Sequence, residues 1–349
     1  MATKAGRTSG IRHRVRALAV VLLAALLVAV LAGAGALGAA WWWLDRPLPL
    51  AGASVELSVE AGATPRDVAQ AWVDAGVQTS PRLLFEWFRW SGQARRIRAG
   101  SYEIDAGTSP RGLLAKMVQG DETLERVRFI EGWTLRQLRA ALASAPHLKS
   151  STASLSDAQL MAALGAPELP AEGRFFPDTY IYSRGVSDLT VLRRAHKALQ
   201  QRLDSIWAER AADTPLQSAA EALTLASIVE KETGTPADRG LVAGVFVNRL
   251  RIGMLLQTDP TVIYGLGAAF DGNLRKRDLL TDTPYNTYTR SGLPPTPIAL
   301  PGMASLRAAV RPQPTKALYF VARGDGSSVF SETLAEHNRA VNKYQRGLP

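Results

Sequence analysis

Leu223-Thr224-Leu225-Ala226-Ser227-Ile228-Val229-Glu230-Lys231-Glu232-Thr233-Gly234 is a run of small and aliphatic residues that passes without a break into a carboxylate. Leu and Ala are strong helix formers, and Gly234 with Pro236 beyond it is the usual punctuation of a helix C-terminus. The spacing predicts a helix over this stretch. At about 100° per residue, Glu230 shares a stripe with Leu223 and Ala226, while Glu232 lies roughly opposite, nearer Leu225 and Ile228. A carboxyl delivered on an apolar face is poorly solvated, which raises its pKa and keeps it protonated as a general acid. On spacing alone, Glu-Lys-Glu reads first as the solvated last turn of a helix. The sequence beyond Gly234 decides otherwise.

Working outward, the chain of 349 residues has room for an anchor and two modest domains, at roughly 100–200 residues each. Half of the formal charge of +10 sits in Lys4, Arg7, Arg12, Arg14 and Arg16, before the first acidic residue, Asp45. The remainder is a mildly basic surface, suited to an anionic polymer or headgroups as well as to nucleic acid. No nucleic-acid-binding module signature is present, so no nucleic-acid partner is expected. The absence of cysteine excludes disulfides, a thiolate nucleophile, thiolate metal sites and a Cys-linked lipid. The four histidines are scattered without ligand spacing, so neither a metal nor another cofactor is expected. Hydrolytic or lytic chemistry must therefore rest on carboxylates.

Residues 1–16 are basic and rich in Gly, Ser and Thr, the composition of a disordered cytoplasmic segment. From Ala17 to Leu44 no charge occurs, long enough for the roughly 20 apolar residues that cross a bilayer. Trp41-Trp42-Trp43 stands where an aromatic belt belongs, and the cations before the span keep the N-terminus in the cytoplasm. Ala32-Gly33-Ala34 and Ala34-Gly35-Ala36 resemble cleavage sites, but a signal peptide's apolar core is typically about 7–15 residues. This one is longer and reads as a retained anchor over 17–44.

Beyond Asp45 a local pattern recurs three times: a strand, a Gly turn, a Ser or Thr N-cap, then an amphipathic helix. It appears at Val59–Pro65, Ile104–Pro110 and Phe129–Thr134, with Pro at the first helical position in the first two. The glycine spacings are unequal, which excludes a solenoid. The expected fold class is α+β: a transmembrane helix, a LysM-like α+β subdomain over 45–122 and an α+β catalytic domain over 123–349. Phe85, Trp87, Phe88 and Trp90 read as core rather than as a sugar platform, and Arg95-Arg96-Ile97-Arg98 as a solvated edge. Residues 150–170 read as helical. Glu172–Tyr180 reads as a packed, rigid turn, and 190–211 as a helix with Leu192, Ala195, Leu199 and Leu203 in register. Near the C-terminus, two strands across Gly324-Asp325-Gly326 precede a helix over 333–345 with Leu334, His337 and Val341 on one stripe; His337 reads as a core histidine.

After Glu230 come Asn248-Arg249-Leu250, Gly253-Met254-Leu255-Leu256-Gln257-Thr258-Asp259-Pro260-Thr261-Val262-Ile263-Tyr264-Gly265, Tyr285-Asn286-Thr287-Tyr288 and Gly292-Leu293-Pro294-Pro295. With the IVEKET motif at 228–233, this combination closely resembles the endolytic murein transglycosylase family, also called MltG or YceG-like. The resemblance runs from the anchor to the C-terminus and is densest over 223–301. It implies a single-pass inner-membrane enzyme whose exported portion cleaves peptidoglycan glycan strands internally, with cell-wall synthases as neighbours. It implies Glu230 as the catalytic acid, with Gln257, Asp259, Tyr285, Asn286 and Tyr288 towards the cleft as substrate-binding residues. The sequence departs from the family at Thr296, Leu300 and Ser328, so the loop after Gly292 is expected to differ in shape, and no histidine role near Ser328 carries over.

The chemistry is arguable on its own terms. Breaking a glycosidic bond requires a proton on the leaving oxygen and stabilisation of an oxocarbenium-like state. A hydrolase uses two carboxylates. A lytic transglycosylase needs one acid/base, because the 6-hydroxyl of the sugar attacks C1 and closes a 1,6-anhydro ring. Glu232 points elsewhere on the helix, and Asp259, stiffened by Pro260, is the better spare carboxylate. The rival readings are a non-catalytic glycan-binding or assembly module and a muramidase.

Overall fold

The computed structural model describes residues 7–60, 62–233 and 235–347, with side chains in the first helix given at Leu22, Leu23 and from Leu26 onward. The chain forms two compact units, Met1–Leu124 and Glu125–Pro349. The first begins with α1 (Arg7–Asp45) and continues through β1 (Ser54–Val59), α2 (Pro65–Asp74), α3 (Pro81–Trp90), β2 (Gly100–Asp105) and α4 (Pro110–Gln119). Helix α1 starts at Arg7, so the disorder expected of residues 1–16 is not found over 7–16; extending a helix that already exists is far easier than nucleating one. Residues 1–6 lie outside the described residues. Within α1, Leu26–Asp45 is long and apolar enough to cross a membrane, with mean hydropathy 1.7 and its apolar side chains turned outward.

Strands β1 and β2 pair antiparallel, Ser54 opposite Asp105 and Val59 opposite Gly100. The two helices between them close a core of Trp72, Leu84, Phe88, Tyr102, Ile104 and Met117. The expected caps form: Thr64 makes a capping box with Asp67 ahead of α2, and Ser109 accepts from the Gly112 amide ahead of α4. Of the four aromatics on α3, Phe88 is buried and Phe85 and Trp87 pack at the core margin, but Trp90 is 78% exposed. Arg95 and Arg96 sit in a short 3-10 turn rather than on a strand edge.

The second unit comprises β3 (Leu124–Arg128), α5 (Leu135–Ser144), α6 (Asp157–Ala163), β4 (Thr179–Ser183), α7 (Asp188–Ala208), α8 (Ala219–Glu232), α9 (Arg239–Arg251), α10 (Asp259–Leu266), α11 (Lys276–Leu280), α12 (Met303–Val310), β5 (Tyr319–Ala322), β6 (Ser328–Ser331) and α13 (Leu334–Gln345). Strand β3 pairs with β4, and β5 runs antiparallel to β6. The architecture is α+β, as expected. Only Asp157–Ala163 of the 150–170 stretch is helical, and Leu334, expected on the inner stripe of α13, is 54% exposed. His337 is half-buried and stacks on Tyr319 at 5.2 Å.

Helix α8 is the centre of this unit. Every residue from Ala222 to Val229 is buried, so the single apolar stripe expected there is instead a helix covered on all sides. Ser218 caps its start, and Thr233 Oγ1 donates to Val229 O at 2.6 Å at its end; Gly234, the expected stop, lies outside the described residues. Ser227 Oγ donates to Thr224 O at 2.7 Å and accepts the Ile298 amide at 3.0 Å, pinning the loop before α12 against the core. The motif residues Asn248 and Arg249 are clamps. Asn248 Nδ2 donates to Thr315 O and Ala317 O, while the Arg249 guanidinium donates to Leu318 O and Leu256 O. Ser227→Ala leaves the Ile298 amide buried without an acceptor and should cost about 1–3 kcal/mol of stability, read from chemical denaturation.

Candidate active site

The last turn of α8 sends three consecutive charged side chains in three directions. Glu230, 8% exposed, accepts the Gly302 amide at 2.9 Å through Oε2, and its Oε1 lies 3.9 Å from Arg239 Nη2. Lys231 Nζ donates to Gly132 O at 3.4 Å and faces a cavity of about 600 Å³. Glu232 accepts from Thr258 Oγ1, and burial pushes its carboxyl above the ordinary range despite that bond. The environment expected at Glu230 was apolar. The structure instead surrounds it with an amide donor, a guanidinium and the edge of Gly132, whose added Cβ would lie 3.9 Å from Glu230 Cγ.

A second carboxylate stands beside it. Gly132 donates to Leu300 O at 2.8 Å and Leu300 donates to Trp133 O at 2.7 Å, holding the Glu131-Gly132 turn against the start of α12. A Cβ added at Gly302 would fall 1.9 Å from Glu131 Oε1. Glu131 and Glu230 thus flank one glycine, their nearest oxygens no more than roughly 8 Å apart by bond lengths alone. Sequence reasoning read Glu131 only as part of a turn. Its place beside Glu230 depends on a contact made across about 100 residues of chain.

The remaining predicted residues form one zipped pair of loops. Gln257, with φ of 48°, donates its amide to Thr287 O at 3.0 Å, and the Thr258 amide donates to Thr287 Oγ1 at 3.1 Å. The Gln257 and Asp259 side chains reach solvent there. Tyr288 O–H donates to Asp259 Oδ1 at 2.5 Å; burial first, then that carboxylate, raises its phenol pKa. Tyr285 packs edge-on against Tyr264 at 4.9 Å, and its hydroxyl is 2.8 Å from Thr296 Oγ1. Asn286 is different. It is fully buried, its amide donates to Leu279 O and Thr281 O, and its carbonyl accepts from the Tyr288 amide, so its polar atoms are committed within the loop.

Glu172, read as part of a packed turn, lines the 600 Å³ cavity with Lys231, Arg136, Tyr264 and Tyr285. Its carboxyl accepts from the Leu135 and Gly173 amides and from Tyr264 O–H. Burial outweighs these donors and pushes it from 4.5 to about 7. A different cavity, about 580 Å³, opens along the first half of α8 beside Glu221 and Thr224, and six residues of helix, about 9 Å, separate Thr224 from Glu230. Among the described residues no cluster of His, Asp or Glu could hold a metal ion.

An α+β protein with one apolar N-terminal helix, and a carboxylate-lined, cation-flanked site at the end of a buried helix, is the class these features define. The profile of the YceG-like family matches residues 57–343. The chain belongs to that family. It is 33% identical over 309 residues to an endolytic murein transglycosylase of Bacillus subtilis, covering 83% of this chain and 85% of that protein. An endolytic murein transglycosylase of Streptococcus pneumoniae is 26% identical over 86% of this chain, which spans 61% of that protein. A crystal structure of a yceG-like protein from Listeria monocytogenes aligns with 82% of this chain and 98% of its own, at 29% identity and a TM-score of 0.51.

The sign of the pH dependence follows from Glu172. With a folded pKa of about 7 against an ordinary 4.5, the native state holds a proton that the unfolded chain releases first. Stability from this group is full below pH 4.5 and declines as pH rises through about 7. Denaturation at several pH values should give a shallower decline over that window in Glu172→Gln.

Proposed function

We propose that this protein is a membrane-anchored lytic transglycosylase that cuts peptidoglycan strands internally at the bond between N-acetylmuramic acid and N-acetylglucosamine. The observation that carries the reading is the placement of Glu230: nearly buried, bonded to the Gly302 amide and close to Arg239. Glu230 donates its proton to the bridging oxygen as the C1–O bond breaks. The carboxylate left behind is stabilised by the amide and the guanidinium, and the developing positive charge on the ring faces it. Glu230 then takes the proton of the 6-hydroxyl as that oxygen bonds C1, closing the 1,6-anhydro ring without consuming water. Gln257, Asp259, Tyr285 and Tyr288 are suited to hold hydroxyl and acetamido groups, and the exposed polar ends of the first two support this. The chain would sit in the inner membrane with its N-terminus cytoplasmic and both units exported. The strand–helix–helix–strand unit is LysM-like, a glycan-holding fold, and cleavage near the membrane would terminate nascent strands beside cell-wall synthases.

One observation favours a second reading. Glu131 lies within roughly 8 Å of Glu230, compatible with either two-carboxylate geometry of a hydrolase. Glu230→Gln should lower cleavage of purified glycan strands by about 10²–10⁴-fold, the usual share of a general acid. Full activity in that variant would end the proposal. Mass spectrometry of the wild-type products should find ends lighter by one water than hydrolysed reducing ends, and Glu131→Gln should leave that product unchanged. Hydrated ends, abolished by Glu131→Gln, would make the protein a muramidase.

A further inference from the structure

A third cavity lies on the far side of Arg239 from Glu230 and is joined to that carboxylate through the Arg239 guanidinium. It encloses about 490 Å³, and its walls carry Arg239, Arg307 and Arg311 against one carboxylate, Glu209. Arg307, in the last turn of α12, and Arg311, the residue that follows the helix four positions on, are exposed and have no ion-pair partner among the described residues. Arg239 is largely buried; its Nε has no hydrogen-bond acceptor while its Nη2 lies 3.9 Å from Glu230. Like charges one turn apart repel, and a buried guanidinium N–H without an acceptor is unfavourable. An anion in the cavity relieves both. The planar fork of a guanidinium matches a carboxylate in geometry, and three forks around one space define an anion site rather than a general basic surface. Ile206, Ala304, Ala308 and Val310 supply an apolar wall between the cations.

We propose that this cavity binds a carboxylate of the peptide borne on muramic acid, with its alanine methyls against the apolar wall. The inference rests on the glycan-cleaving function proposed above and adds the part of the substrate that is read. The glycan backbone itself carries no charge, whereas the peptide branches from one of the two sugars whose link is broken. Because Arg239 faces both Glu230 and the cavity, a bound carboxylate competes with Glu230 for the same guanidinium. Peptide recognition and the acid are therefore electrostatically coupled, and strands whose peptides lack free carboxylates are poorer substrates.

The test is binding of free muramyl tetrapeptide to the full chain in detergent, by titration calorimetry. Arg307→Ala/Arg311→Ala should weaken it about tenfold or more, the order expected for charged hydrogen bonds to a carboxylate, with partial recovery in Arg307→Lys/Arg311→Lys. Amidating the peptide carboxylates should weaken wild-type binding by a similar factor. Equal affinity of wild type and the alanine double variant overturns the proposal. So does inorganic pyrophosphate that binds only the wild type while the peptide binds both alike, since the site then suits a lipid diphosphate. Strand cleavage is measured separately: a wild type that binds the peptide through these arginines yet cuts nothing retains the pocket and refutes the glycan-cleaving function.

Discussion

A helix buried on every side can present charge only at its ends. Helix α8 has eight consecutive buried residues, and its backbone is satisfied internally, so the chain meets polar surroundings abruptly at Glu230-Lys231-Glu232. Because successive residues on a helix diverge by about 100°, these three side chains cannot share an environment. Each meets a different partner: Gly302 and Arg239, Gly132, and Thr258. The site is the consequence of that divergence. A solvated, single-stripe helix would have left all three ends in water.

The rest of the second unit holds those partners in place. Arg249 and Asn248 donate from α9 to carbonyls that neighbouring segments leave open, and Ser227 Oγ on α8 accepts the backbone amide of Ile298. Buried donors and acceptors of this kind are costly to leave unpaired, so they fix loop positions more firmly than apolar contact does. Residues that look like chemistry in a motif are here the scaffold of chemistry. Asn286 is the clearest case, with its amide spent on the carbonyls around it.

Charge near the site follows one physical rule with two outcomes. Burial raises the carboxyls of Glu172 and Glu232 even though each accepts hydrogen bonds, because desolvation exceeds what the donors return. Guanidinium groups stand on the other side of Glu230, where Arg239 joins the acid to a cavity edged by Arg307 and Arg311.

Much was legible in the chain alone. The apolar N-terminal run, the capped helices behind Thr64, Ser109 and Thr134, the paired C-terminal strands and the helix ending in Glu230 all follow from local spacing and capping chemistry. These are properties of residues a few positions apart, and neighbours in sequence are neighbours in space over that range. Tertiary structure alone decided that Glu131 joins Glu230 at Gly302, that Glu172 belongs to a cavity, and that Asn286 and Arg249 serve the frame. The placements of Glu131 and Glu172, and the Arg249 bond to Leu318 O, depend on contacts between segments tens to a hundred residues apart, while Asn286 turns on how its own loop closes on itself. No local pattern encodes which distant backbone a side chain will meet.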